Sequence, residues 1–234
     1  MSALASIAGP RPLACCLHVS HTYGHGSAAT VAVNDTSCEI HAGELIALTG
    51  PSGSGKTTLL YLLAGLDRPT GGSVRWPAIG GIDDLRPGPI AMVFQGPSLL
   101  SPLTVLENVA LPLLLLGSRE PDAQAAAAAA LERLGIDELA GKLPEEISGG
   151  QAQRAAVARV LVSRPRLILA DEPTGQLDHE NGLLTVGVLV ETARETGAAL
   201  VVSTHDPEIA ARLPEQWQMD DGRLSVRGET TCSS

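Results

Sequence analysis

Aromatic residues are scarce in this chain of 234 residues, where they make up 2% of the sequence. Proteins that bind single-stranded nucleic acid stack bases on aromatic side chains, so this scarcity argues against that class. Basic residues are also in the minority, since 16 Lys and Arg stand against 26 Asp and Glu and leave a net charge of −10. A sequence-independent nucleic-acid binder would carry a basic face. We therefore expect no nucleic-acid partner.

Long apolar runs and cysteines are also few. The longest apolar stretches, 109–116 and 123–131, are too short to span a bilayer, and no signal-peptide pattern opens the chain. The cysteines lack metal-ligand spacing, and a disulfide framework would be unusual in a chain of this size. They are Cys15, Cys16, Cys38 and Cys232. A reduced, cytosolic setting fits this composition, and 44% hydrophobic residues allow a substantial core.

What the sequence does contain is a phosphate-binding loop, between a predicted strand at 45–49 and a predicted helix at 58–64. Glycines there let backbone N–H groups turn towards phosphate oxygens, and the helix N-terminus adds its positive dipole end. We expect Lys56 to contact the β- and γ-phosphates and the Thr57 hydroxyl to ligate Mg²⁺. A glycine-rich turn that contains lysine by chance is the alternative, and it arises in about one chain in a hundred of this length. The loop residues are Gly50, Pro51, Ser52, Gly53, Ser54, Gly55, Lys56 and Thr57.

Apolar runs typical of strands alternate with helical patterns, which predicts an α/β core around a mostly parallel sheet. Two early stretches place polar residues between apolar ones instead, and we expect these to form a half-exposed antiparallel edge at 17–23 and 36–40. The predicted central strands are 45–49, 90–94, 167–170 and 200–203.

The strand signals vanish between residues 97 and 149, which predicts a helical subdomain inserted into the α/β core. Helices are predicted at 104–116 and 122–134, the second punctuated by Pro121 and Gly135. Its alanine run could be low complexity, but the high helix propensity of alanine favours an ordered helix. A further helix is predicted at 152–162.

One nucleotide-binding domain accounts for the chain. We assign residues 14–227 to this domain, with 97–149 as its helical insertion. The ends are polar or lack strand and helix signals, so we expect flexible tails at 1–13 and 228–234.

Two adjacent carboxylates, Asp171 and Glu172, follow the buried strand 167–170. Open α/β sheets bind ligands at this end of their strands. Asp171 is suited to hold Mg²⁺ through its waters, and Glu172 to orient and deprotonate a water that attacks the γ-phosphate. Two adjacent acids are usually no more than a solvated strand end. The apolar strand before them and the phosphate loop upstream favour a catalytic role.

A second anion cradle precedes the helix 152–162. A serine and two glycines open this helix, so free N–H groups and the helix dipole can face a phosphate. By itself the peptide could be an ordinary helix cap with Ser148 as the N-cap. One site already binds the triphosphate, so a second cradle makes sense if it serves another subunit. Its residues are Ser148, Gly149, Gly150 and Gln151.

In this order the motifs resemble the nucleotide-binding subunit of ABC transporters, over about residues 14 to 226. The loop at 50–57 is similar to Walker A, residues 148–151 to the signature, and Asp171-Glu172 to Walker B with its catalytic glutamate. Gln95 is similar to the Q-loop glutamine and His205 to the switch histidine. The resemblance implies the ABC ATPase fold, with a P-loop NTPase core, an antiparallel β subdomain and a helical insertion.

The same resemblance implies a role for each matching residue. Catalysis falls to Glu172, His205, Gln95 and Lys56. Mg²⁺ is held by Thr57, Gln95 and Asp171. Tyr23 takes the place of the adenine-stacking aromatic, although an ordinary half-buried strand tyrosine explains it nearly as well. The nucleotide-binding residues are Tyr23, Gly50, Pro51, Ser52, Gly53, Ser54, Gly55, Lys56, Thr57, Thr58, Ser148, Gly149, Gly150, Gln151 and the D-loop Asp178.

Two stretches, 103–113 and 172–178, are similar to the branch that contains lipoprotein-releasing, macrolide-exporting and cell-division ATPases. Three features depart from that branch. Gln176 stands where asparagine is usual, Ile147 replaces the usual leucine, and the segment 73–89 is shorter than usual.

The resemblance implies an ATPase that acts as a head-to-tail homodimer, with each ATP between one subunit's loop and the other's signature. It also implies docking of a separate integral membrane permease, and therefore a peripheral place on the cytoplasmic face of the cell membrane. The alternatives are a soluble non-transport ABC ATPase and a mechanotransmission ATPase that regulates cell-envelope machinery. A P-loop GTPase would need a guanine-reading motif, and the chain has none.

Overall fold

The computed structural model describes residues 10–96 and 98–226, and of Ser27 the backbone alone. The tail predicted at 228–234, most of the tail at 1–13, residue 227 and the start of the helical insertion at Pro97 lie outside these residues. The strands are β1 (Ala14–Tyr23), β2 (Thr30–Ile40), β3 (Leu45–Thr49), β4 (Gly71–Arg75), β5 (Ile90–Val93), β6 (Leu167–Asp171), β7 (Ala199–Ser203), β8 (Glu215–Asp220) and β9 (Arg223–Val226). The helices are α1 (Lys56–Leu63), α2 (Val105–Leu115), α3 (Glu120–Arg133), α4 (Gly149–Leu161), α5 (His179–Thr196) and α6 (Pro207–Ala210).

Six strands form the central sheet, in the order β5-β6-β7-β3-β8-β9. The first five run parallel and β9 pairs antiparallel with β8. Four of the parallel strands are fully or nearly fully buried apolar runs, because helices or a second sheet cover both faces. The mostly parallel α/β core predicted from the sequence is confirmed, with strand ends within one residue of the prediction.

A second, antiparallel sheet has the order β2-β1-β4. Buried and exposed residues intermix along β1 and β2, as expected for strands with one solvated face. The predicted antiparallel β subdomain is therefore confirmed. Strand β4 is the third strand of this sheet, and it includes the first residues of the short segment 73–89. Leu13, placed in the flexible tail by sequence, is instead buried, and its N–H donates to the Ile40 carbonyl.

The central sheet separates two hydrophobic cores. Its residues alternate between them, so that Leu45 and Ala47 face one core and Ile46 and Leu48 face the other. The first core contains apolar side chains of α2 to α6, and the second contains those of α1 and the antiparallel sheet. Helices α1 and α4 therefore lie on opposite faces of the central sheet.

The helical region after β5 contains α2, α3 and two short 3-10 turns before α4. Helix α2 continues through Pro112, and Thr104 and Glu107 form a capping box at its start. The buried side chain of Asn108 accepts a hydrogen bond from Leu100 N and donates to three carbonyls of the preceding segment. Helix α4 begins at Gly149, three residues before its predicted start.

No helix within 10–96 or 98–226 is both long and apolar enough to cross a bilayer.

Candidate functional site

Four neighbouring parallel strands bring the predicted site residues to one edge of the central sheet. Gln95 follows β5, Asp171 and Glu172 end and follow β6, and His205 follows β7. The phosphate loop 50–57 follows β3 and leads into α1. The register places Asp171 opposite Ser203 and Ser203 opposite Leu48, so the strands end level with one another. Parallel strands lie about 4.8 Å apart, which sets these groups side by side at the edge where α/β sheets bind ligands.

The glycines of the loop serve two different purposes. A Cβ on Gly50 would lie 2.1 Å from the Met219 carbonyl oxygen, and one on Gly55 would lie 2.0 Å from the Ala32 carbonyl oxygen. Both glycines therefore allow neighbouring strands to press against the loop. Gly53, with a φ of 76°, meets no atom on the side where its Cβ would project. The loop is therefore open to solvent on that side of Gly53, which leaves room for a ligand.

The C-terminal hairpin braces the loop. The Gly222 N–H, in the turn between β8 and β9, donates to the Ser54 carbonyl, and the Gly222 carbonyl accepts from Asn34 N. The Thr49 hydroxyl donates to the Trp217 carbonyl on β8. The loop thus takes its shape from parts of the chain that are far away in sequence.

Lys56 lies inside the loop and is 6% exposed. Its Nζ donates to the carbonyl oxygens of Gly50 and Pro51, both at 2.9 Å. Thr57, the next residue, is half-buried at the start of α1. The structure therefore holds the ammonium group at the loop where sequence reasoning placed the phosphates.

Tyr23 lies beside this loop, at the end of β1. Its hydroxyl is 3.4 Å from the Thr58 hydroxyl of α1, and its ring packs edge-on against buried His21. The side chain is nevertheless 45% exposed. Its position near the phosphate loop suits an adenine contact, which stays a prediction.

Asp171 and Glu172 are held by Ser203, on the neighbouring strand β7. The Ser203 hydroxyl donates to Asp171 Oδ1 at 2.7 Å and accepts from the Glu172 N–H at 2.9 Å. Glu172 has a φ of 43°, in the left-handed region that non-glycine residues seldom adopt. Such conformations persist where the surroundings enforce them, and they cluster at functional sites. Sequence reasoning did not find Ser203 as a site residue and placed it only at the end of the predicted strand 200–203.

His205 and Gln95 flank the carboxylates. The His205 Nδ1 is 3.5 Å from Glu172 Oε2, and its side chain is largely exposed. Gln95 is exposed one strand further along the sheet. Both residues reach solvent at the edge where a nucleotide would bind. The structure thus brings Gln95, Glu172 and His205 together with the phosphate loop.

The chemistry of Asp171 suits a divalent cation. The carboxylate is 1% exposed, and its Oδ2 finds no hydrogen-bond partner within the described residues. A buried carboxylate oxygen without a partner is costly unless a cation or its water supplies one. Burial, and then the Asp171 charge, raise the pKa of Tyr61 nearby. Oxygen ligands of this kind are those that Mg²⁺ prefers.

The signature residues open helix α4 as a capping box. The Ser148 hydroxyl accepts from Gln151 N, and the Gln151 side-chain oxygen accepts from Ser148 N. Ser148 and Gly149 are exposed and Gly150 is half-buried. The N-terminal end of a 13-residue helix is thus presented to solvent, although α4 packs on the sheet face opposite α1.

Small residues in the signature admit the D-loop of the same chain. A Cβ on Gly149 would lie 2.6 Å from Gln176 Oε1, and one on Gly150 would lie 3.1 Å from the Gln176 carbonyl. Asp178 follows as the N-cap of α5, where its carboxylate accepts two hydrogen bonds from Asn181. These bonds lower the pKa of the exposed Asp178 carboxyl. The unusual Gln176 therefore lies against the signature.

Comparison of the sequence with family models and comparison with known proteins both match this chain to ABC transporters. The family model for ABC transporter matches residues 33–175. The lipoprotein-releasing system ATP-binding protein LolD of Shewanella oneidensis is 39% identical over 218 residues, which cover 89% of this chain and 94% of that protein. LolD of Hydrogenovibrio crunogenus is 40% identical over 215 residues, with the same two coverages.

Solved structures of ATP-binding cassettes share the fold. The cassette MJ0796, solved as a dimer in a post-hydrolysis state bound to ADP and Pi, superposes with a TM-score of 0.84 at 33% identity. The match covers 92% of this chain and all of that one. A second dimeric structure of MJ0796 gives the same TM-score at 34% identity, covering 91% of this chain and 96% of that one.

Proposed function

The chain belongs to the ABC transporter family as an ATPase of the LolD type, and on that premise we propose that two copies form an ATP-sandwich dimer that drives a membrane permease. Each ATP lies between the phosphate loop of one subunit and the signature of the other. Binding closes the dimer and hydrolysis opens it, and the permease follows this cycle.

The position of the two anion cradles carries this proposal. The phosphate loop opens α1 on one face of the central sheet, and the signature opens α4 on the other face. The signature end of α4 is exposed and caps itself through Ser148 and Gln151. A helix N-terminus with free N–H groups favours an anion, and a second subunit can supply that anion as the γ-phosphate of its ATP.

The edge of the sheet supplies the groups that hydrolysis needs. Glu172 accepts the proton of the attacking water, while Lys56 and the loop N–H groups stabilise the charge on the phosphates. His205 and Gln95 orient the water and the γ-phosphate at the exposed side of the site. Ser203 keeps Glu172 at the end of its strand. ADP and phosphate then leave when the dimer opens.

We assign Mg²⁺ to Asp171, Thr57 and Gln95. The unpartnered, buried Oδ2 of Asp171 supports this assignment. Bound there, the ion neutralises charge on the β- and γ-phosphates. Ser203 donates to the other oxygen of Asp171 and so keeps the carboxylate oriented.

The permease docks beside the edge strand β5. An apolar groove of about 410 Å³ lies there between β5, α2 and α4, lined among others by Met92, Pro112, Leu115 and Val160. Leu114, Leu115 and Leu116 are all exposed at the end of α2. An exposed apolar surface of this kind favours a protein partner. This docking places the subunit on the cytoplasmic face of the membrane, where the permease determines the substrate.

We expect Leu115→Glu to abolish co-purification of the permease with the tagged protein from membranes of the native host, because a charge would enter the apolar groove. ATP binding by the free subunit should not change. Leu184→Glu adds the same charge to an exposed leucine on α5 and serves as the matched control. Loss of the membrane partner with Leu184→Glu instead would place the docking surface on α5.

Mixed dimers test the sandwich arrangement. Lys56→Ala subunits lack the loop cation, and Ser148→Arg subunits lack the signature cradle. Each heterodimer then has one composite site with both lesions and one with an intact loop facing an intact signature. We expect ATP hydrolysis to return when the two inactive variants are mixed, up to about half of the wild-type rate per heterodimer.

The control is the purified heterodimer, free of wild-type homodimers, in which one subunit carries both substitutions and the other carries neither, because every site of that dimer has one lesion. Heterodimer formation is verified with two different affinity tags. If the two single variants stay inactive when mixed, although heterodimers form and one intact site can turn over alone, the loop and the signature act within one subunit, and the sandwich proposal is rejected.

A further inference from the structure

We propose that Gln153 and Arg159 of helix α4 are positioning residues for Gln95, so that the signature helix and the Gln95 segment of one subunit move together. This inference rests on the proposed function of Gln95 and of the signature. Neither α4 residue touches the phosphate loop. Gln153 contacts the residue before Gln95, and Arg159 contacts Ser98, three residues after it.

Gln153 holds the residue before Gln95. Its Nε2 donates to the Phe94 carbonyl oxygen at 2.9 Å. The side chain is 0% exposed, and its Oε1 finds no hydrogen-bond partner within the described residues. A buried amide whose oxygen has no partner is costly in a core, so packing alone does not explain this residue. This indicates that the bond to Phe94 is the reason for an amide at this position.

Arg159 holds Ser98, on the other side of Gln95. Its Nη1 donates to the Ser98 carbonyl oxygen at 2.7 Å, and its Nη2 donates to the Ser98 hydroxyl. Burial lowers the pKa of the guanidinium group. Arg159 also lines the apolar groove beside β5, so this contact lies between the proposed docking surface and the nucleotide edge.

The two contacts tie a short segment to a rigid element. Gln153 and Arg159 are six residues apart, which is about 9 Å along a helix. The same helix begins at the signature, where Ser148 caps it. A displacement of Gln95 towards bound nucleotide therefore shifts α4, and with it the cradle that faces the partner's ATP. The two half-sites of one subunit are coupled by this route, and the coupling is reciprocal.

A double-mutant cycle with Gln95 separates positioning from simple stability. Gln153→Met keeps the length and apolar packing of the side chain and removes the donor. We expect it to lower kcat about tenfold and to reduce the Hill coefficient for ATP towards 1, with little change in KM. On a Gln95→Ala background, the same substitution should have no further effect, because Gln153 acts through Gln95.

Arg154→Met is the matched control. Arg154 lies on the same helix but donates to the Leu134 and Gly135 carbonyls, away from Gln95. Whatever Arg154→Met does to stability or kcat, it should do equally on both backgrounds. The midpoints of thermal unfolding are compared for all variants, so that loss of folded protein is counted separately.

A second variant keeps the test informative if Gln153→Met unfolds. In Gln153→Glu the buried carboxyl can donate to the Phe94 carbonyl only when it is protonated, and burial raises its pKa. Its kcat relative to wild type should therefore rise as the pH falls. A ratio that stays flat with pH would contradict the role of this hydrogen bond.

Failure of the inference differs from failure of the proposed function. If Gln153→Met lowers kcat by the same factor in the otherwise wild-type protein and in the Gln95→Ala variant, the two residues do not act together, and the inference is wrong. If Gln95→Ala itself leaves turnover unchanged, the proposed role of Gln95 is wrong, and the inference falls with it.

Discussion

Glu172→Gln should retain ATP binding and lose turnover by about 100-fold or more, because the amide has the size of the carboxyl but cannot accept the proton of the attacking water. The backbone around it should not change, since the Ser203 hydroxyl and carbonyl hold the residue 172 N–H and not its side chain. ATP should then accumulate in closed dimers. Phosphate release and size-exclusion chromatography with ATP measure the two effects.

Glu208→Gln is the matched control for this experiment. Glu208 lies on α6, after the switch histidine. Its carboxylate Oε2 is 3.4 Å from His179 Nε2, at the start of α5. Its removal should leave turnover close to wild type. A Glu172→Gln protein that hydrolyses ATP at the wild-type rate would remove Glu172 from the mechanism.

Lys56→Ala should weaken ATP binding about 100-fold, and turnover should fall with it. The substitution removes a charged donor from the phosphate cradle, and such contacts are stronger than neutral hydrogen bonds. It also removes the two bonds to Gly50 and Pro51 that hold the side chain inside the loop. Calorimetry with ATP and Mg²⁺ gives the affinity directly.

Lys142, the chain's other lysine, supplies the control. It is exposed and lies 3.9 Å from Glu146, so Lys142→Ala should bind ATP as wild type does. Lys56→Met separates charge from volume, since it keeps the aliphatic stem. Wild-type affinity in both Lys56 variants would show that the loop does not bind the triphosphate.

The sequence predicted the central strands well and missed five other elements, among them β8 and α5. Strands β3, β5, β6 and β7 are continuous apolar runs, and burial on both faces gives such runs a strong signal. Strand β8 alternates polar and apolar residues and is half-exposed, so it carried no such signal. Helix α5 contains Gly182, Gly187 and several β-branched residues, which weaken the local helix pattern. Tertiary burial and the Asp178 cap stabilise it instead.

Sequence motifs predicted the main residues of the candidate site. The contacts that hold those residues depend on which strands and helices are neighbours in the fold. The spacing of residues predicted the phosphate loop and the adjacent carboxylates, and the family resemblance predicted His205. The spacing could not reveal that Ser203 holds the Asp171 carboxylate and the Glu172 N–H, because this depends on β7 lying next to β6. The contact of Gln153 with Phe94 depends likewise on which helix covers β5. Contacts between distant parts of the chain have no local sequence signal.

The bracing of the phosphate loop by the C-terminal hairpin bears on how the protein is made. Gly50 packs against the Met219 carbonyl, and Gly222 donates to Ser54, so the loop gains its final shape only once residues near 220 exist. Synthesis starts at the N-terminus and proceeds at about 5 to 20 residues per second, so the loop waits on the order of ten seconds for its brace. A growing chain that carries the whole motif but not residues 219 and 222 therefore lacks the contacts that brace its loop. We therefore expect nucleotide binding to become available only after the hairpin of β8 and β9 has been made.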